Sequence, residues 1–95
     1  MKNAFAEPNE LEHVSEVLRA LAHPVRLQIV HQLVKKTSLN VTELQHYLDM
    51  PQSTVSQHLG RLKLHKVVAY ERQGLEVFYR VDDEKVKQTL KILIG

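Results

Sequence analysis

From Val67 onward the hydrophobic period of the chain changes from that of a helix to that of a strand. The segments VVAYERQ and EVFYRVD are rich in β-branched and aromatic residues and flank Gly74, so they read as a β-hairpin set behind a run of amphipathic helices. A two-residue Gln73-Gly74 loop would set Glu71 opposite Glu76, an unfavourable pair. The preferred turn is therefore the three-residue Arg72-Gln73-Gly74 loop, with Gly74 left-handed.

The helices ahead of the hairpin are legible in turn. Leu11, Val14, Val17, Leu18 and Leu21 put a wide apolar stripe on one face of the first. His23-Pro24 ends it, because a residue before proline is pushed out of the helical region, and Pro24 is suited to open the second helix, which runs to about Lys36. Its apolar residues Leu27, Ile29, Val30, Leu33 and Val34 cover nearly half the circumference, which marks it as the central, most buried helix. Thr37 to Asn40 reads as a loop. Either Asn40 with Glu43 or Thr42 with Gln45 has capping-box spacing for a short third helix, with Val41, Leu44 and Leu48 inward. This helix ends near Asp49-Met50-Pro51, and a fourth follows at once. The stretch from Asp83 to Gly95 is again helical, with Val86, Leu90, Leu93 and Ile94 on one side. The reading is one domain over residues 1–95, with residues 1–9 as a flexible arm.

With 43% hydrophobic and 25% charged residues in a 95-residue chain, there is enough apolar surface for one ordinary core and no room for a second. No cysteine is present, which removes disulfides, thiolate metal sites and thiol nucleophiles together. The N-terminal MKNAFAEPNE has acids where a signal peptide would carry an apolar core, and no run is long enough to span a membrane, so the chain is expected in the cytoplasm. Thirteen Lys plus Arg against eleven Asp plus Glu give a net charge of only +2. Its distribution is more informative: Gln52 to Lys66 contain Arg61, Lys63 and Lys66 and no acid.

At roughly 100 degrees per residue, Leu59 and Leu62 fall within about 40 degrees of Val55, whereas Ser53, Thr54, Gln57 and Arg61 fall between about 160 and 260 degrees. The fourth helix therefore has an apolar back and a small, polar front. Two short helices joined by a tight turn, then a hairpin, is the order of a winged helix-turn-helix, mainly α with a small β-hairpin. In that arrangement the fourth helix enters the major groove of double-stranded DNA, where Gln57 and Arg61 are best placed for base edges. Ser53 and Thr54 either cap the helix or meet DNA. Lys63 and, on the wing, Arg72 are candidate phosphate contacts. Gly60, on the outer face, has no evident packing duty.

The residues LAHPVRLQIV, NVTEL, STVSQHLGRL and RQGLEVFYRV resemble the ArsR/SmtB family of winged-helix repressors over roughly Leu11 to Asp83, and most closely a branch that lacks metal ligands. The resemblance implies a homodimer built from the first and last helices, bound to an imperfect inverted repeat and blocking transcription. It also puts Ser53, Thr54, Ser56, Gln57 and His58 on the recognition-helix positions and Arg72 on the wing; Gln52, at the start of the same acid-free stretch, is a further candidate DNA contact. The cysteines with which many members sense metals near the start of the third helix are missing. So is the D-x-H and H-x-x-E set of the last helix, since Lys85 follows Asp83 and the sequence stops at Gly95. The family's usual glycine after the recognition helix is replaced by Lys66.

None of the six histidines forms a ligand spacing. His23 reads as a capping or packing residue, and His58 as flanking the DNA face. His13, His31, His46 and His65 read as surface or half-buried residues. No metal, cofactor or catalytic motif is expected. The terminal KILIG and the broad stripe of the first helix call for a cover, so Leu11, Val14, Leu18, Val86, Leu90 and Leu93 are expected to pack two chains together. A winged-helix module that binds protein, and a repressor that senses metal through histidines, are the alternatives. No sensing residue is evident, which leaves control to an unknown ligand, a partner or the protein's own abundance.

Overall fold

The computed structural model describes residues 6–95. In chain order the elements are α1 (Pro8–Leu21), α2 (Pro24–Lys36), β1 (Leu39–Asn40), α3 (Val41–Leu48), α4 (Gln52–Leu64), β2 (Ala69–Gln73), β3 (Glu76–Arg80) and α5 (Glu84–Leu93). Residues 1–5 of the expected arm lie outside the described residues. Pro8 and Asn9 are helical: Pro8 occupies the first turn of α1 and the Glu7 carbonyl accepts from Leu11 N at 2.9 Å.

Helix ends follow local chemistry. His23 is the N-cap of α2, its Nδ1 accepting from Val25 N at 3.1 Å, and Pro24 opens the first turn. Of the two capping-box spacings, Asn40 with Glu43 forms: Glu43 N donates to Asn40 Oδ1 at 2.8 Å, and Asn40 N to Glu43 Oε1 at 2.9 Å. Asp49, left-handed at φ 54°, stops α3, and Pro51 is the N-cap of α4. At the other end of α4, Lys66 takes φ 60°, with Lys66 N bonded to Lys63 O at 3.0 Å and Val67 N to Leu62 O at 2.9 Å. This is a Schellman-type ending, in which the left-handed position usually belongs to glycine. Lysine adopts the glycine geometry here.

The sheet has three strands, not two. Leu39 and Asn40, expected in a loop, pair antiparallel with Tyr79 and Phe78, giving the order β1-β3-β2. Leu39 is 4% exposed, and its burial fixes the short strand against the hairpin root. The wing turn also differs from expectation. Gln73 pairs with Glu76, so the loop is Gly74-Leu75, with Gly74 at φ 67° where a primed two-residue turn needs a positive angle. Glu71 stands opposite Phe78 and 3.7 Å from Arg80, so the repulsion with Glu76 that argued for a three-residue loop never arises.

The core is organised by α2. Its Ile29, Val30 and Leu33 are buried among Leu44 of α3, Val55, Leu59 and Leu62 of α4, Val67, Val68 and Val81 around the hairpin, and Val86 and Leu90 of α5. Loss of one such leucine side chain typically costs about 2–5 kcal/mol. The apolar back of α4 is thereby fixed in the core, and its polar front is left outside.

Candidate nucleic-acid interface

On α4, Gln52, Ser53, Ser56, Gln57, Arg61 and Lys63 are exposed, Thr54 is half-buried, and Val55, Leu59 and Leu62 are buried. The outward face is therefore the one anticipated from helical spacing. Ser53 and Thr54 are not caps. Pro51, in extended conformation, takes the cap position and places them within the first turn, where no side chain caps the helix and no acid is present. The N-terminal N–H groups of α4, with the positive end of its dipole, are thus available to an anion.

Gln57, His58, Gly60 and Arg61 of α4 and Arg26 of α2 line an open cleft of about 460 Å³. An added Cβ at Gly60 would meet nothing within 4 Å, which agrees with the absence of a packing role. His58 lies on the flank of the outward face and is half-buried. Its ring lies 4.5 Å from that of His23, centroid to centroid, and its Nδ1 is 3.4 Å from Arg26 Nη1, so it packs against α2 beside the outer face. Burial, and then the charges of His23, Arg26 and Arg61, lower its pKa from the ordinary value of 6.5.

The wing carries Arg72 exposed on β2 and Leu75, 97% exposed, at its tip. Lys63 reaches back toward the wing, with Nζ 4.4 Å from the centre of the Tyr70 ring, so its ammonium is held at the junction of helix and hairpin. Sequence reasoning gave no role to Arg26, although it lies in the HPVR stretch. Its partners Arg19, Ala20 and His58 come from two other helices, and no local spacing announces them.

The face expected between two chains is divided. Leu11, Val14 and Leu18 of α1 are exposed, as are Leu93, at 71%, Ile92 and Ile94. Val86 and Leu90, by contrast, are 4% and 1% exposed and belong to this chain's own core. The stripe of α5 thus splits between Val86 and Leu90, which join the core cluster, and Leu93, which is exposed. A cleft of about 410 Å³, lined by Val14, Val17 and Leu18 of α1 and Val86 of α5, runs between the two helices. Among the described residues no group of three or more histidines and carboxylates is arranged to hold a metal ion.

Comparison with known proteins gives a consistent picture. The sequence model for bacterial regulatory proteins of the arsR family matches residues 23–66, from the cap of α2 to the left-handed residue after α4. The transcriptional repressor PagR of Bacillus anthracis is 47% identical over 83 residues, covering 87% of this chain and 83% of that protein. Its crystal structure aligns with a TM-score of 0.86 over 92% of this chain and 99% of the other, at 46% identity. The transcriptional repressor SmtB of Mycobacterium tuberculosis is 51% identical over 73 residues, which are 77% of this chain but only 53% of SmtB, about half its length. The structure of the transcriptional repressor BigR from Xylella fastidiosa aligns with a TM-score of 0.81 at 34% identity, covering 90% of this chain and 86% of that one.

Proposed function

This chain belongs to the ArsR family of bacterial regulatory proteins and is a DNA-binding transcriptional repressor, not an enzyme, and we propose that it acts as a homodimer on an inverted-repeat operator. The observation that carries the reading is the exposed, acid-free front of α4, with Gln57 and Arg61 opposite the buried Val55, Leu59 and Leu62. Glutamine and arginine can each read a base through two hydrogen bonds in the major groove, glutamine favouring adenine and arginine guanine. Gln52, Ser53, Thr54 and Ser56 approach phosphate or base edges near the helix start. Lys63 and Arg72 add backbone contacts from the helix end and the wing. His58 contributes from beneath.

Two chains joined through Leu11, Val14, Leu18 and Leu93 would present two α4 helices about 34 Å apart, one turn of DNA, and therefore select a pseudo-palindrome. No helix among the described residues is long and apolar enough to cross a membrane, in keeping with action on DNA in the cytoplasm. The test is selection of bound sites from a random duplex pool, with and without zinc. Recovery of an inverted repeat, unaffected by zinc and lost in the Gln57→Ala, Arg61→Ala double variant, supports the reading. Failure to enrich any duplex refutes it.

A further inference from the structure

Arg26 joins three helices through one guanidinium. Its Nε donates to Ala20 O at 2.6 Å and its Nη2 to Arg19 O at 3.5 Å, while Nη1 lies 3.4 Å from His58 Nδ1. The two carbonyls belong to the last turn of α1, where a cation meets the negative end of the helix dipole; that of Arg19 also accepts from the C-cap Ala22 N at 3.2 Å. His58 sits on the flank of α4 that faces α2, with the His23 ring against it. One planar group on α2 thus connects the end of α1 to the middle of α4. A lysine ammonium, which presents its donors from a single atom, cannot span the same three acceptors.

We propose that Arg26 is a positioning residue for the recognition helix, holding α4 at a set angle to α1 by linking the Arg19 and Ala20 carbonyls to His58. The proposal rests on the reading of α4 as the DNA reader. Since α1 also carries the exposed Leu11, Val14 and Leu18, the same link relates the face offered to a second copy to the face offered to DNA. The contact requires a lone pair on His58 Nδ1 and so a neutral ring. The charged and titratable groups that face this ring are His23 and Arg26 from α2 and Arg61 from α4 itself, all basic. On the α1 side the cluster meets the carbonyls bound by Arg26.

The alternative role for Arg26 is a direct phosphate contact, made by charge alone. Wild type, Arg26→Lys and Arg26→Gln are compared on a duplex selected by the wild-type protein, with affinity measured across a salt series. A phosphate contact predicts that lysine preserves affinity and that glutamine lowers the salt slope by about one. Positioning predicts that both variants bind roughly tenfold more weakly with the wild-type salt slope. It also predicts that adding His58→Gln to Arg26→Lys causes less than the sum of the two separate losses. Amide hydrogen exchange on the free proteins gives a readout without DNA: Leu59 and Leu62 of α4 should exchange faster in both variants, with Leu44 of α3 unchanged. Wild-type affinity in the lysine variant, or unaltered exchange in α4, overturns the proposal. If the wild-type protein selects no duplex, the repressor reading fails, and exchange in α4 alone decides whether Arg26 positions the helix.

Discussion

The imidazole of His58 lies 4.5 Å from that of His23, the two planes inclined at 42°, so that a residue of the recognition helix is seated on the residue that caps α2. Burial and the neighbouring basic groups favour the neutral ring, and its pKa in the folded protein falls below 6.5. The unfolded chain therefore binds this proton more tightly. The stability tied to His58 is fully present above pH 6.5 and is lost as pH falls from there through the lowered folded value. Urea denaturation at pH 7.5 and at 5.5 should show a smaller acid-induced loss in His58→Gln than in wild type. Equal losses would mean that His58 is not the group responsible.

Base reading and backbone attraction separate by salt. Gln57→Ala or Arg61→Ala should weaken operator binding by about 1–3 kcal/mol and relax preference at the base contacted. Lys63→Ala should instead reduce the salt slope by about one, with affinity falling alike on all duplexes. Fluorescence anisotropy on the operator and on a scrambled duplex over a salt series distinguishes the two patterns.

The division of α5 yields opposite expectations for neighbouring leucines. Leu18→Glu and Leu93→Glu, both at exposed positions, should leave a folded monomer. Leu90→Ala should lower stability by about 2–5 kcal/mol whatever the state of association, because this side chain fills the chain's own core. Sedimentation velocity with parallel thermal melts checks both, and a dimer that survives the two charged substitutions would move the interface elsewhere.

Lys66 holds a left-handed backbone that a β-carbon disfavours by roughly 1–2 kcal/mol. Replacing it by glycine should raise stability by about 0.5–1 kcal/mol, less than the full strain because glycine also adds freedom to the unfolded chain. The urea midpoint should shift upward with no change in its slope. A lowered midpoint would show that the lysine side chain contributes more than its backbone strain removes.

The elements that could be read in advance are those whose signal repeats. The backs of α2 and α4 recur at helical spacing over several turns, and Ile29, Leu33, Val55, Leu59 and Leu62 are all buried as that spacing requires. The β1 strand has two residues, too few for any period, and its pairing to Phe78 and Tyr79 is settled by a partner far along the chain. The wing register turned on a repulsion between Glu71 and Glu76 that vanishes once the strands extend to Gln73 and Glu76. Spacing puts His58 beside the outer face, but its neighbours His23 and Arg26, more than thirty positions away, are not announced by any local pattern. Helical periodicity likewise groups Val86, Leu90 and Leu93 on one side without showing that the core takes in the first two and leaves Leu93 exposed.

Proline at the cap of α4 leaves that helix with an unfinished first turn, since it supplies no side-chain acceptor and the turn itself holds no acidic residue. An anion arriving end-on would complete the terminus. Ordering of this turn and capture of a phosphate would then be a single event, and protein free of DNA should show its greatest local looseness in α4 at Gln52 to Thr54, the end that meets the ligand first.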